Sequence, residues 1–114
     1  MKFNSYDEII AWQKSKELCV EVYKCFKTNR DYSFKDQVQR ASVSVMNNIA
    51  EGFERNGNKE FRHFLYIAKG SCAEVRSMLV LAEEFEYLES KKAKELSILS
   101  IEISKMLSGL IKTL

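Results

Sequence analysis

The stretch Phe34-Lys35-Asp36-Gln37-Val38-Gln39-Arg40-Ala41-Ser42-Val43-Ser44-Val45-Met46-Asn47-Asn48-Ile49-Ala50-Glu51-Gly52 carries its apolar or small residues at three- and four-residue steps. Phe34, Val38, Ala41, Val45, Ile49 and Gly52 therefore fall on one side of a helix, the side that faces a core. Alternation by twos, the mark of a half-buried strand, is sustained nowhere in the chain. Working outward, Asn56-Gly57-Asn58 is a turn in which Gly57 is free to take positive φ and Asn58 caps a third helix from about Lys59 to Tyr87. Ser33 with Asp36 opens the second helix, which runs to about Arg55. Ser5 and Glu8 form a capping box for a first helix from about Asp7 to Lys27. Ser90 caps a fourth, reaching about Lys112. Proline, which punctuates loop-rich chains, does not occur in the sequence. Long helices joined by short breaks must run antiparallel, so the expectation is all-α: an antiparallel up-down-up-down four-helix bundle in one domain, 1–114.

At 114 residues the chain is long enough for one core without disulfides or metals. Its 46% hydrophobic and 30% charged residues are a globular balance, far from disorder. The net charge of +2 is too small to name a partner, so any electrostatic argument rests on where the charges lie. Cys19, Cys25 and Cys72 are odd in number and sit in apolar helical segments, which predicts buried thiols and a reducing, cytoplasmic setting. The polar run after Ile9 and Ile10 leaves no signal-peptide core, and no apolar run reaches the length of a membrane span, so no membrane partner is expected.

The third helix reads as three faces. Phe61, Phe64, Leu65, Ala68, Cys72, Val75, Leu79 and Ala82 form the core stripe. Ile67, Ser71, Glu74, Met78, Leu81 and Phe85 lie about 100° further round, which is more apolar surface than one bundle hides. Ile67, Met78, Leu81 and Phe85 are accordingly expected to form an oligomer interface. The third face carries Lys59, Arg62, Tyr66, Lys69 and Arg76 with no acid among them. Spaced cations on a helix can follow a phosphate backbone and Tyr66 can stack on an unpaired base, so this ridge is the candidate nucleic-acid surface. The competing reading is a solvated face that keeps the bundle soluble.

Arg40, Asn48, Glu51 and Glu74 are expected to form an interhelical polar network that fixes register, since Asn48 edges the core stripe and Glu74 sits among apolar neighbours. Catalytic apparatus is not visible. Glu60 and His63 have the spacing of a di-iron ligand pair, but His63 is the only histidine in the chain and a bundle site needs two such pairs. Neither a metal nor a cofactor is expected, and the chain reads as a non-enzyme.

Two stretches carry a family resemblance. Gln39 to Phe53, with its Asn48-Ile49-Ala50-Glu51-Gly52, and Phe61 to Glu74, with its Ala68-Lys69-Gly70-Ser71, resemble the four-helix-bundle proteins encoded in 23S rRNA intervening sequences. Ile10-Ala11-Trp12-Gln13-Lys14-Ser15 fits as well, so the resemblance covers nearly the whole chain. Met46 stands where the family often has proline, and the loop from Asn29 to Ser33 lacks another. The resemblance implies a bacterial cytoplasmic protein assembled as a ring-like homo-oligomer, a pentamer. A related branch, the accessory protein of diversity-generating retroelements, is a basic pentameric bundle that binds nucleic acid and a reverse transcriptase. The reading that follows is a homo-oligomeric bundle binding RNA or DNA through its basic ridges. The alternative is a scaffold for a different protein partner, with no nucleic-acid role.

Overall fold

The computed structural model describes residues 3–114 as four helices, with no strand among them. A 3-10 turn, Tyr6–Glu8, leads into α1 (Ile10–Cys25), α2 (Tyr32–Glu54), α3 (Asn58–Glu84) and α4 (Ser90–Lys112). Each helix packs on its two neighbours in the cycle α1, α2, α3, α4 and back to α1, with no diagonal pair in contact. This is the expected antiparallel bundle, drawn out to 43 Å along its axis.

The helix starts differ from the simplest reading of the caps. Ile9 takes an extended conformation and is buried, so the chain breaks between Glu8 and Ile10 instead of running on from Asp7. The Ser5–Glu8 box is only half made: Glu8 Oε1 accepts the amide of Asn4 at 3.1 Å, while Ser5 turns its hydroxyl to Asp7. At α2 the cap is Asp31 and not Ser33, because Asp31 Oδ1 accepts the Phe34 amide at 3.2 Å. Gly57 has φ +114° and caps α3, which makes Asn58 the first helical residue and not the cap. Ser90 likewise begins α4 after Glu89. α3 stops at Glu84 because Glu86 turns to φ +62° and the Tyr87 amide folds back to the Ala82 carbonyl at 2.8 Å.

Tyr87 is turned back for a reason visible across the bundle. Its hydroxyl donates to Asp31 Oδ2 at 2.7 Å, and its ring stands edge-on to Phe34 and Phe85 at 5.3 and 5.4 Å. One carboxylate thus caps α2 and ties down the α3–α4 turn. The Tyr87 hydroxyl first, and the Phe34 amide second, hold the Asp31 carboxyl below its ordinary range.

The core is continuous and made from all four helices, with Leu18 and Val22, Val45 and Ile49, Leu65 and Leu79, and Ile103 and Leu107 fully buried. α2 and α3 come closest. A Cβ placed on Gly52 would lie 2.6 Å from Phe64 Cβ and 3.1 Å from Phe61 Cδ1, so only glycine fits. Eight residues back along α2, Ser44 Oγ accepts a hydrogen bond from Ser71 Oγ, seven residues on along α3, at 2.8 Å. These two contacts set the antiparallel register of the pair.

Two outcomes test this account. Gly52→Ala is expected to destabilise by about 1–3 kcal/mol, because the clash involves a Cβ next to the backbone and outweighs the helix propensity gained. Gly70→Ala, where nothing lies within 4 Å, is expected to stabilise by about 0.5–1 kcal/mol. Chemical denaturation of the pair measures both, and equal shifts would remove the close approach as the explanation. Second, a carboxyl held low in the folded state stabilises fully above its unfolded pKa of about 3.9 and loses that contribution as pH falls through the folded value. Tyr87→Phe is therefore expected to melt below the parent at pH 7, with the gap narrowing below about pH 4 as Asp31 takes its proton.

Candidate nucleic-acid interface

The basic face of α3 is built where α3 meets α4. Arg76 donates from its guanidinium to Ser100 Oγ at 3.1 Å, and Ser100, fully buried, donates in turn to the Cys72 carbonyl at 3.0 Å. Ser100 is thus a fixed post that holds Arg76 at the seam. Lys69 sits two turns earlier on the same face with its Nζ 5.9 Å from the centre of the Tyr66 ring, a cation–π approach that keeps the phenol and the ammonium together. Tyr66 is 55% exposed, Lys59 is exposed, and Arg62 and Lys69 are half-buried along their stems.

α4 contributes as well, which reading α3 alone did not reveal. A groove of ≈ 400 Å³ between the two helices is lined by Arg76, Ile101, Ser104, Lys105, Ser108 and Lys112, together with Gly109, and by no carboxylate. Ser100 lies level with Cys72 and Arg76, so the antiparallel register brings Lys105 level with Lys69 and Lys112 level with Arg62. Lys105 and Lys112 are missing from the sequence-derived site. Their signal was present, since 101, 105, 108 and 112 are helical steps of three and four, but it acquires meaning only once α4 is known to lie beside the α3 ridge.

Other sequence-derived groups are placed differently. The network of Arg40, Asn48, Glu51 and Glu74 does not form. Asn48 donates instead within α2, to the Ser44 carbonyl at 2.8 Å and to Ser44 Oγ at 2.9 Å, and Glu51 pairs with Arg55 at 2.9 Å on the surface. Arg40 and Glu74 are exposed and line a groove of ≈ 590 Å³ between α2 and α3 without bonding each other. The register device is smaller and more apolar: Asn48, Ser44 and Ser71 in series. Glu74 misled because Ser71 and Met78 flank it on the helix, yet it lies on the far side of that stripe from the core. Among the oligomer candidates, Met78 is only 7% exposed and belongs to the protomer's own core, since its side of the stripe turns toward α2. Ile67, Leu81 and Phe85 stay 40–49% exposed, and Val80 and Ile98 add further exposed apolar surface.

Of the three thiols expected to be buried, only Cys72 is fully so, and Cys19 and Cys25 are half-buried. Burial pushes Cys72 up to about 11 and raises Cys25, so neither is a thiolate at neutral pH. His63 stands exposed with its ring edge-on to Phe64 at 5.7 Å. No helix among the described residues is long and apolar enough to cross a membrane.

None of the curated proteins compared with the chain matches it. Among solved structures, the chain is similar to a protein of unknown function from the S23 ribosomal protein family of Bacteroides thetaiotaomicron, determined by crystallography at 1.70 Å. The two share 26% identity over 90% of this chain and 98% of that one, with a TM-score of 0.83. A family model described as 23S rRNA-intervening sequence protein matches residues 7–109, and with nearly all of its helical core inside that match the chain belongs to this family.

Proposed function

We propose that the chain is a non-enzymatic, homo-oligomeric bundle that binds RNA or DNA phosphates along the α3/α4 groove. One observation carries the reading: cations from two helices converge on a groove that no acid lines, with Arg76 fixed at its edge by a buried serine. Evenly spaced cations exchange condensed counterions for protein contacts, which gives sequence-tolerant, salt-sensitive binding. Tyr66, held beside Lys69, offers a face on which an unpaired base stacks. In the proposed ring the groove is repeated, which multiplies modest single-site affinity. The cytoplasmic setting and the pentamer of this reading are what the resemblance of the Gln39 to Phe53 and Phe61 to Glu74 stretches implies.

Salt titration of binding to a single-stranded RNA tests the phosphate contacts. In Lys69→Glu/Lys105→Glu/Lys112→Glu, each phosphate left without its cation is expected to reduce the slope of log affinity against log salt by about 0.7, and affinity falls alike for unrelated sequences. Tyr66→Ala is expected to cost about 1–3 kcal/mol on single strands with the slope unchanged. Unaltered binding by a folded triple variant would return the groove to a solvated face.

Assembly is read by light scattering. The exposed Ile67, Leu81 and Phe85 are too apolar to remain in water over a whole helix face, so the parent is expected to exceed the 13.3 kDa of one chain. Leu81→Glu is expected to bring the mass down to the protomer with helicity retained. A parent at protomer mass would end the oligomer reading.

A further inference from the structure

A second groove shares the chemistry of the first. Between the end of α1 and the start of α2, Tyr23, Lys24, Lys27, Lys35 and Gln39 line a space of ≈ 380 Å³ with no carboxylate among them. Three further grooves carry acids: Asp36 and Glu74 face Arg40 between α2 and α3, Asp31 and Glu84 lie further along the same seam, and Glu17 and Glu21 share the α1 surface with Lys16. Acid-free cationic lining therefore distinguishes the α1/α2 and α3/α4 grooves.

The three lysines are not equally committed. Lys35 Nζ donates to the Lys27 carbonyl at 3.0 Å and so closes the C-terminal end of α1, where the helix dipole favours a cation. That role accounts for Lys35 alone. Lys24 approaches Glu21 only at 3.8 Å and remains 71% exposed, because the Glu21 carboxylate is engaged by Lys92 at 2.7 Å from α4. Lys27 pairs with no acid among the described residues and lies on the turn in open solvent. Tyr23 is 44% exposed beside them, matching the placing of Tyr66 beside Lys69 on the other side.

The helix order fixes where the two grooves lie. Because each helix touches only its neighbours in the cycle, the α1/α2 seam is opposite the α3/α4 seam. A strand following one groove cannot enter the other without turning round a body whose cross-section spans 22 × 19 Å between Cα atoms. We propose that the α1/α2 groove is a second nucleic-acid contact, used by a separate segment, so that one protomer holds two segments of nucleic acid on opposite faces. This rests on the reading of the α3/α4 groove as phosphate-binding. Lys24 and Lys27 supply the phosphate contacts and Tyr23 a stacking face.

Photocrosslinking with a short single-stranded RNA carrying 4-thiouridine, mapped by mass spectrometry on the full chain, separates the outcomes. Crosslinks are expected in two peptides, one holding Tyr66 and one holding Tyr23. Lys24→Glu/Lys27→Glu is expected to reduce the Tyr23 crosslinks at least tenfold while sparing those at Tyr66, and Lys69→Glu/Lys105→Glu/Lys112→Glu to do the reverse. Should the reversal at α1 disturb folding, Lys24→Gln/Lys27→Gln carries the same expectation without placing acids at a helix C-terminus. Crosslinks confined to the Tyr66 peptide, or Tyr23 crosslinks indifferent to Lys24 and Lys27, would overturn the second contact and leave the first standing. Crosslinks in neither peptide would overturn both.

Discussion

The close approach of α2 to α3 at Gly52 is the constraint on which the rest of the bundle depends. Side chains normally hold two helices about 8–10 Å apart, and the contact residues decide where in that range a pair sits. Here the missing Cβ lets Phe64 and Phe61 come against the α2 backbone, while the Ser44–Ser71 hydrogen bond fixes the same pair further along. A one-residue slip would put a side chain where Gly52 is and separate the two hydroxyls. With that pair in register, the other helices close the cycle, and every buried polar side-chain atom among the described residues has a partner.

Serines do much of the joining. Ser15, Ser42, Ser71 and Ser100 are the buried polar residues, one from each helix, and each hydroxyl finds an acceptor. Ser15 and Ser42 bond back to their own helices at the Ala11 and Gln39 carbonyls. Ser71 and Ser100 reach across to a neighbouring helix. A small hydroxyl fills little volume and satisfies itself locally, so it allows close packing without a charged network and its desolvation cost. Charge is confined to the rim, as in the Lys92–Glu21 pair that joins α4 to α1.

The architecture was legible because the apolar period of α2 and α3 is long and the breaks are short. The core stripe of α3, from Phe61 to Ala82, is buried nearly as the 3.6 period places it, with Phe64 at its edge. What escaped the sequence are features decided by residues far away along the chain. Asp31 outcompetes Ser33 as the α2 cap because Tyr87, 56 residues on, bonds its other oxygen. Glu74 and Met78 share a stripe by angle, yet the crowding of α2 against one edge buries Met78 and leaves Glu74 in water. Lys105 and Lys112 join the α3 ridge only through the register that Ser100 sets for α4.

Register is therefore also what turns a scattered charge into a surface. A net charge of +2 gives the whole molecule almost no field, and the six acids and seven bases between Asn58 and Lys94 nearly cancel in composition. Segregation comes from the fold: Asp36 of α2 and Glu74 of α3 meet around Arg40, while Arg76, Lys105 and Lys112 collect where α3 and α4 meet. The cost of gathering like charges is mutual repulsion, which a bundle under no other demand would relieve by placing an acid among them, as the grooves with Glu74 and with Glu17 do. An acid-free groove whose innermost cation is anchored on a buried serine is the arrangement that a polyanion relieves, and binding it would lower the repulsion that the folded protomer carries alone.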